Sequence, residues 1–145
     1  MRHHRQHFIH SIESYLMRFV LLITAPISHH NAWHGYYFAQ AALEQGHCVQ
    51  VFFYGDGVQV ANRLLCPAQD ALNLSQLWQH LAQKYHIELA VCVAAALKRG
   101  ISDADNAKRH HLQGHNLAQG FTLTGLGTLT EWLLSADRHL SFVGA

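Results

Sequence analysis

Three cysteines are the residues of this chain best suited to covalent chemistry. Cys48, Cys66 and Cys92 are widely spaced and form no CxxC pair. A disulfide framework uses an even and denser set of cysteines, and a structural zinc site needs four ligands at short paired spacings. The pattern therefore predicts free thiols in a reducing cytoplasm. Cys48 begins a strand-like run and Cys66 precedes a proline, and for both we predict buried packing roles.

Cys92 has the sequence position most typical of a nucleophile. It lies near the end of the strand-like run 87–93 and directly before a helical turn over residues 94–99. Backbone N–H groups at a helix N-terminus carry partial positive charge, which favours the nucleophilic thiolate. Alanines at 94–96 leave space for a second sulfur atom, so we expect an exposed thiol. A cysteine that only packs in the core fits the same position, and the sequence pattern alone leaves both readings open.

Other catalytic or binding motifs are incomplete. The turns Gly55-Asp56-Gly57 and Gly125-Leu126-Gly127 lack the third glycine of a dinucleotide-binding fingerprint, and no P-loop or GxSxG motif is present. The pairs His29-His30 and His110-His111 have no fixed cysteine or carboxylate partner that would complete a metal site. We therefore predict no cofactor and no metal.

Composition narrows the function classes further. The chain has 145 residues, half of them hydrophobic, with a formal net charge of +1 and fourteen histidines. This length and apolar content indicate one compact domain. A nearly neutral chain has no electrostatic attraction for nucleic acid or for an anionic membrane, and no apolar run approaches the ~20 residues of a membrane helix. We expect a cytoplasmic protein that binds neither nucleic acid nor membrane directly.

Strands and helices alternate along the sequence. Strand-like runs cover residues 18–24, 47–54, 87–93, 120–124 and 139–143, and helical segments cover residues 34–45, 58–64, 74–85, 94–99, 102–107 and 128–136. Such alternation predicts a three-layer α/β/α sandwich with a parallel sheet of about five strands. Right-handed crossovers bring the strand-to-helix loops to one edge of the sheet, where ligands bind in such folds.

The first sixteen residues differ from the rest of the chain. They contain four of the fourteen histidines and lack the apolar stretch of a secretory signal. We predict that residues 1–16 form a flexible leader and that residues 17–145 form the domain. Met17 opens the first strand and is an alternative translation start.

Several motifs together resemble one family. The segments VCVAAALKRG (residues 91–100), GFTLTGLG (residues 120–127), MRFVLLITAP (residues 17–26) and VFFYGDGVQVAN (residues 51–62) occur in an order and spacing that resemble the DsrE-like family of sulfur-relay proteins, and within it the TusD-type subunits. The likeness extends over residues 17–143.

The resemblance implies a specific activity and specific partners. TusD-type subunits are sulfurtransferases, and their reactive cysteine corresponds to Cys92. They accept sulfane sulfur from the carrier TusA as a persulfide and pass it to TusE for 2-thiolation of the tRNA wobble uridine. They assemble with TusB-like and TusC-like subunits into a heterohexamer with two copies of each. Persulfide transfer needs no metal and no organic cofactor.

Two alternative functions remain open, and one segment of the chain differs from the TusD-type pattern. The chain could serve a DsrE-type sulfur-oxidation complex, or it could be a non-catalytic scaffold subunit. The histidine-rich loop of residues 28–34 departs from the small polar segment of TusD-type subunits. We also expect apolar helix faces with Trp78 and Trp132 to provide surface for partner subunits.

Overall fold

The computed structural model describes residues 16–144, which fold around a five-stranded parallel sheet. The spatial order of the strands is β4-β3-β2-β1-β5, and every neighbouring pair is parallel. The strands are β1 (Arg18–Ile23), β2 (Cys48–Phe53), β3 (Leu89–Cys92), β4 (Phe121–Thr124) and β5 (Arg138–Phe142).

Helices connect successive strands and lie on both sides of the sheet, as the sequence pattern predicted. They are α1 (His30–Glu44), the 3-10 helix Gly55–Ala61, α2 (Leu74–Tyr85), α3 (Val93–Lys98), α4 (Ala104–Arg109) and α5 (Leu126–Ser135). The predicted fold class, a three-layer α/β/α sandwich of five parallel strands, is confirmed.

The core forms because the central strands are apolar on both faces. Leu21, Val51 and Phe52 are completely buried, as expected for parallel strands covered on both sides. Trp78 of α2 is also completely buried, and its ring lies edge-to-face against Phe53 with 5.4 Å between the ring centroids. These contacts attach α2 to the sheet.

Both tryptophans predicted to provide partner surface belong to this core. Trp78 has no exposed surface and Trp132 is 8% exposed. That prediction is therefore wrong, because each indole lies on the helix face that packs against the sheet; Trp132 lies edge-to-face against Phe52. The exposed apolar side chains are instead mostly leucines, among them Leu64, Leu126 and Leu134.

Two helix starts differ from the predicted positions because of local capping. Helix α1 begins at His30, four residues before the predicted start, since the His29 ring accepts a hydrogen bond from the Asn31 N–H. Helix α4 begins at Ala104, two residues after the predicted start, because Asp103 caps it and its carboxylate accepts a hydrogen bond from the Asn106 N–H.

The predicted leader falls almost wholly outside the described part of the chain, because residues 1–15 are not among the described residues. Within residues 16–144, no helix has both the length and the apolar character required to cross a membrane.

Gly57 allows the turn after β2 to pack against the end of β1. A Cβ atom at this position would overlap the carbonyl oxygen of Ile23, which is backbone and has little freedom to shift. The close approach also accommodates the hydrogen bond from the Tyr54 N–H to the Ile23 carbonyl, 3.0 Å long.

We expect Gly57→Ala to lower the free energy of unfolding by about 3 kcal/mol, because a buried side chain would be forced against the backbone. Gly127→Ala is the matched control, since a Cβ atom there meets nothing within 4 Å and the residue lies in α5. The control should be neutral or more stable by roughly 0.5–1 kcal/mol. Urea unfolding measures both, and equal midpoints would contradict the steric argument.

Candidate functional site

Three strand-to-helix junctions meet around Cys92. Strand β3 lies between β2 and β4, so the carboxyl ends of all three strands are adjacent. A cleft of about 360 Å³ opens between the junctions. The cleft is lined by Tyr54, Gly55, Cys92, Ala94, Ala95, Lys98, Arg99 and Leu126. The sequence presented these junctions as separate candidates, and the sheet combines them into one site.

The Cys92 thiol is less accessible than predicted. Cys92 is the last residue of β3 and the N-cap of α3, and it pairs in register with Thr124 of β4. The residue is only 3% exposed, so the expectation of an exposed thiol is wrong. Its burial follows from the interior position of β3, which is paired on both sides by β2 and β4. The side chain nevertheless lines the cleft and is therefore not sealed from every opening.

Two cationic side chains line the same cleft. Lys98 ends α3 and Arg99 follows it. The guanidinium of Arg99 donates from Nε to Asp56 Oδ1 at 2.9 Å and from Nη1 to the Ala95 carbonyl at 3.1 Å. The sequence reasoning missed the Arg99–Asp56 pair. The sequence did contain a signal for this pair. Asp56 comes after the second predicted strand and Arg99 after the third, and the carboxyl ends of parallel strands lie at the same edge of the sheet.

The two GxG turns form parts of the cleft wall. Gly55 has a φ of +56°, a left-handed conformation that favours glycine. Gly125 is the N-cap of α5, and Leu126 beside it is exposed at the cleft. Neither turn has the glycine pattern of a phosphate-binding loop.

Cys48 and Cys66 do not have the packing roles predicted for them. Both side chains are exposed and both thiols are free. Cys48 begins β2 at the amino edge of the sheet, opposite the site, and Cys66 lies in the loop before α2, beside a second groove lined by Trp33 and Leu72. Neither residue lines the Cys92 cleft.

The histidines near the start of α1 form a stacked group without a metal-binding arrangement. The rings of His29 and His30 stack with 4.2 Å between centroids, and His34 lies 5.3 Å from His30. The Nδ1 atom of His34 is hydrogen-bonded to the side-chain oxygen of Asn31. Among residues 16–144, no group of three or more His, Cys, Asp or Glu side chains could hold a metal ion.

Comparison with known proteins identifies relatives over nearly the whole described chain. Residues 17–142 match the model of the DsrE/DsrF-like family. The chain is 48% identical over 131 residues to Sulfurtransferase TusD of Erwinia tasmaniensis, which covers 87% of this chain and 100% of that protein. It is 50% identical over 108 residues to a Sulfurtransferase TusD homolog of Vibrio parahaemolyticus, covering 74% of this chain and 82% of the homolog.

A solved structure shares the fold. The crystal structure of the ychN protein from E. coli superposes with a TM-score of 0.71 at 22% sequence identity. The match covers 88% of this chain and 100% of that one.

The site geometry predicts the relative reactivity of the three thiols. We expect N-ethylmaleimide to label Cys48 and Cys66 rapidly and Cys92 about tenfold more slowly, because the reagent must enter the cleft. Mass spectrometry of peptides from timed samples measures each rate. In urea the three rates should converge. Equal labelling of all three cysteines in the folded protein would contradict the buried position of Cys92.

Proposed function

The chain belongs to the DsrE/DsrF-like family, and on that premise we propose that it relays sulfur as a persulfide on Cys92. Like the relatives named sulfurtransferase TusD, it is a sulfurtransferase, a subunit of a sulfur relay. The observation that carries the assignment to Cys92 is its position at the carboxyl end of β3, where the thiol lines a cleft that no other cysteine reaches.

The chemistry consists of two thiol exchanges at Cys92. The Cys92 thiolate attacks the outer sulfur of a donor persulfide; a bond forms between Sγ and that sulfur, the donor S–S bond breaks, and the donor leaves as a thiolate. An acceptor thiolate then attacks the outer sulfur of the Cys92 persulfide, which regenerates the Cys92 thiolate. The sulfane sulfur keeps its oxidation state throughout, so neither step requires a metal or an external oxidant.

Access to Cys92 restricts the donors. Because the residue is 3% exposed, a donor sulfur must enter the cleft rather than collide with an open surface. Ala94 and Ala95 line the cleft with single methyl groups and leave room for that approach. The low exposure of Cys92 limits contact of its persulfide with unrelated thiols, which suits a relay that passes sulfur only between designated proteins.

We assign the donor and acceptor by the resemblance to TusD-type subunits. In this proposal TusA delivers the sulfur, TusE receives it, and TusB-like and TusC-like subunits complete a heterohexamer with two copies of each. Exposed leucines support a partner surface beside the site: Leu126 lies at the cleft, and Leu133, seven residues further along α5 on the same face, is 41% exposed. The relay would operate in the cytoplasm, where exposed thiols such as Cys48 and Cys66 remain reduced.

Mass spectrometry tests the persulfide directly. Incubation with a cysteine desulfurase, cysteine and TusA should add about 32 Da to the intact chain, the mass of one sulfur atom. Cys92→Ser should abolish the addition. Cys48→Ser and Cys66→Ser are matched controls that remove the more exposed thiols and should keep it. Persistence of the adduct in Cys92→Ser would move the reactive thiol to another cysteine.

Genetic complementation tests the destination of the sulfur. In a bacterial strain without its own TusD, the wild-type chain should restore 2-thiouridine in tRNA, measured by mass spectrometry of digested nucleosides, and Cys92→Ser should not. Restoration by Cys92→Ser would indicate the scaffold alternative. Failure of the wild-type chain to restore thiolation, with the persulfide still formed on Cys92, would favour a role in sulfur oxidation.

A further inference from the structure

The Cys92 cleft carries more positive charge than the relay chemistry requires. Lys98 and Arg99 both line it, and the carboxylate of Asp56 offsets only one of these charges. Within residues 16–144, Lys98 takes part in no ion pair. An excess of cationic side chains in a small cleft attracts anionic ligands. A volume of about 360 Å³ is sufficient for a small organic group to enter.

Arg99 is held in a defined position. Asp56 Oδ1 accepts from its Nε and the Ala95 carbonyl accepts from its Nη1, which fixes two of the three guanidinium nitrogens. The remaining nitrogen, Nη2, has no hydrogen-bond partner within the described part of the chain. The side chain is 28% exposed, so these donors are partly shielded from water. A guanidinium fixed in this way binds a carboxylate with little loss of side-chain freedom.

We propose that Arg99, positioned by Asp56 and assisted by Lys98, forms a carboxylate-binding subsite beside Cys92. The ligand is a sulfur donor that carries a carboxylate close to its reactive sulfur. The carboxylate can belong to a protein carrier or to a free amino-acid persulfide. The inference deepens the proposed function, since it names what the cleft selects, but the subsite itself does not depend on sulfur transfer.

Two alkylating agents of similar size test the subsite without any sulfur chemistry. Iodoacetate carries a carboxylate and iodoacetamide carries a neutral amide in its place. For each cysteine, the ratio of the two alkylation rates reports the preference of its surroundings for an anion. Cys66, exposed and outside the cleft, provides the reference ratio within the same molecule. We expect the iodoacetate preference at Cys92 to exceed that at Cys66.

Substitution of Arg99 should remove that preference. In Arg99→Gln we expect the normalised ratio at Cys92 to fall about tenfold, the effect of losing one charge-assisted hydrogen bond. Arg99→Lys keeps the charge but cannot make the two contacts that position the guanidinium, so it should keep only part of the preference. Arg109→Gln removes an exposed cation of α4 outside the cleft and should leave the ratio unchanged. A general disturbance of the fold would raise the iodoacetamide rate at Cys92 towards the rate at the exposed Cys66, whereas loss of the subsite alone slows iodoacetate and leaves the iodoacetamide rate unchanged. An unchanged ratio in Arg99→Gln would overturn the subsite.

Sulfur transfer then identifies the source of the carboxylate. Cysteine persulfide carries a carboxylate that cysteamine persulfide lacks. If the donor is a free amino-acid persulfide, Arg99→Gln should slow sulfur transfer from cysteine persulfide about tenfold and leave transfer from cysteamine persulfide unchanged. If the carboxylate belongs to a protein carrier, Arg99→Gln should instead slow sulfur transfer from the persulfidated carrier protein. Equal slowing with both small donors would mean that Arg99 acts on the sulfur, which contradicts the subsite. If Cys92 takes sulfur from no donor, the proposed function fails and the alkylation ratio still decides the subsite.

Discussion

Parallel pairing of β3 between β2 and β4 is the constraint on which the site depends. Each of these strands is followed by a helix or turn that begins at the same edge of the sheet. The pairing of Cys92 with Thr124 fixes the depth at which β3 ends relative to its neighbour. The junctions that contribute Tyr54, Cys92 and Leu126 are distant in sequence, and the sheet alone brings them around one cleft.

The same constraint makes the Cys92 thiol, the proposed carrier of sulfur, difficult to reach. A residue at the end of a central strand is covered by the layers on both faces, which explains why Cys92 is buried while Cys48 and Cys66 are exposed. For the proposed persulfide, limited access is an advantage, because an exposed persulfide would react with unrelated thiols. In this proposal, the reactivity of Cys92 is controlled by which molecules can enter the cleft, and the cations Lys98 and Arg99 at its wall favour anionic ligands.

Packing around the turn after β2 connects the site to the core. Gly57 approaches the end of β1 closely, and this contact sets the position of the 3-10 helix that carries Asp56. Asp56 in turn holds Arg99, which follows α3. Asp56, on one side of the cleft, therefore orients the side chain of Arg99 on the other side. The site is therefore assembled by contacts between residues that are far apart in the sequence and belong to no common motif.

The sequence by itself determined the fold class and the chemical candidate. Continuous apolar runs such as that of β1 predict buried parallel strands, and the position of Cys92 between a strand and a helix made it a candidate thiol, because both signals are local. Tertiary structure alone decided which surfaces are exposed: it buried Cys92, Trp78 and Trp132 and exposed Cys48 and Cys66. It also paired Asp56 with Arg99 across 43 positions of the chain. Burial and pairing depend on which elements pack together, and that information is distributed over the whole chain rather than contained in any segment.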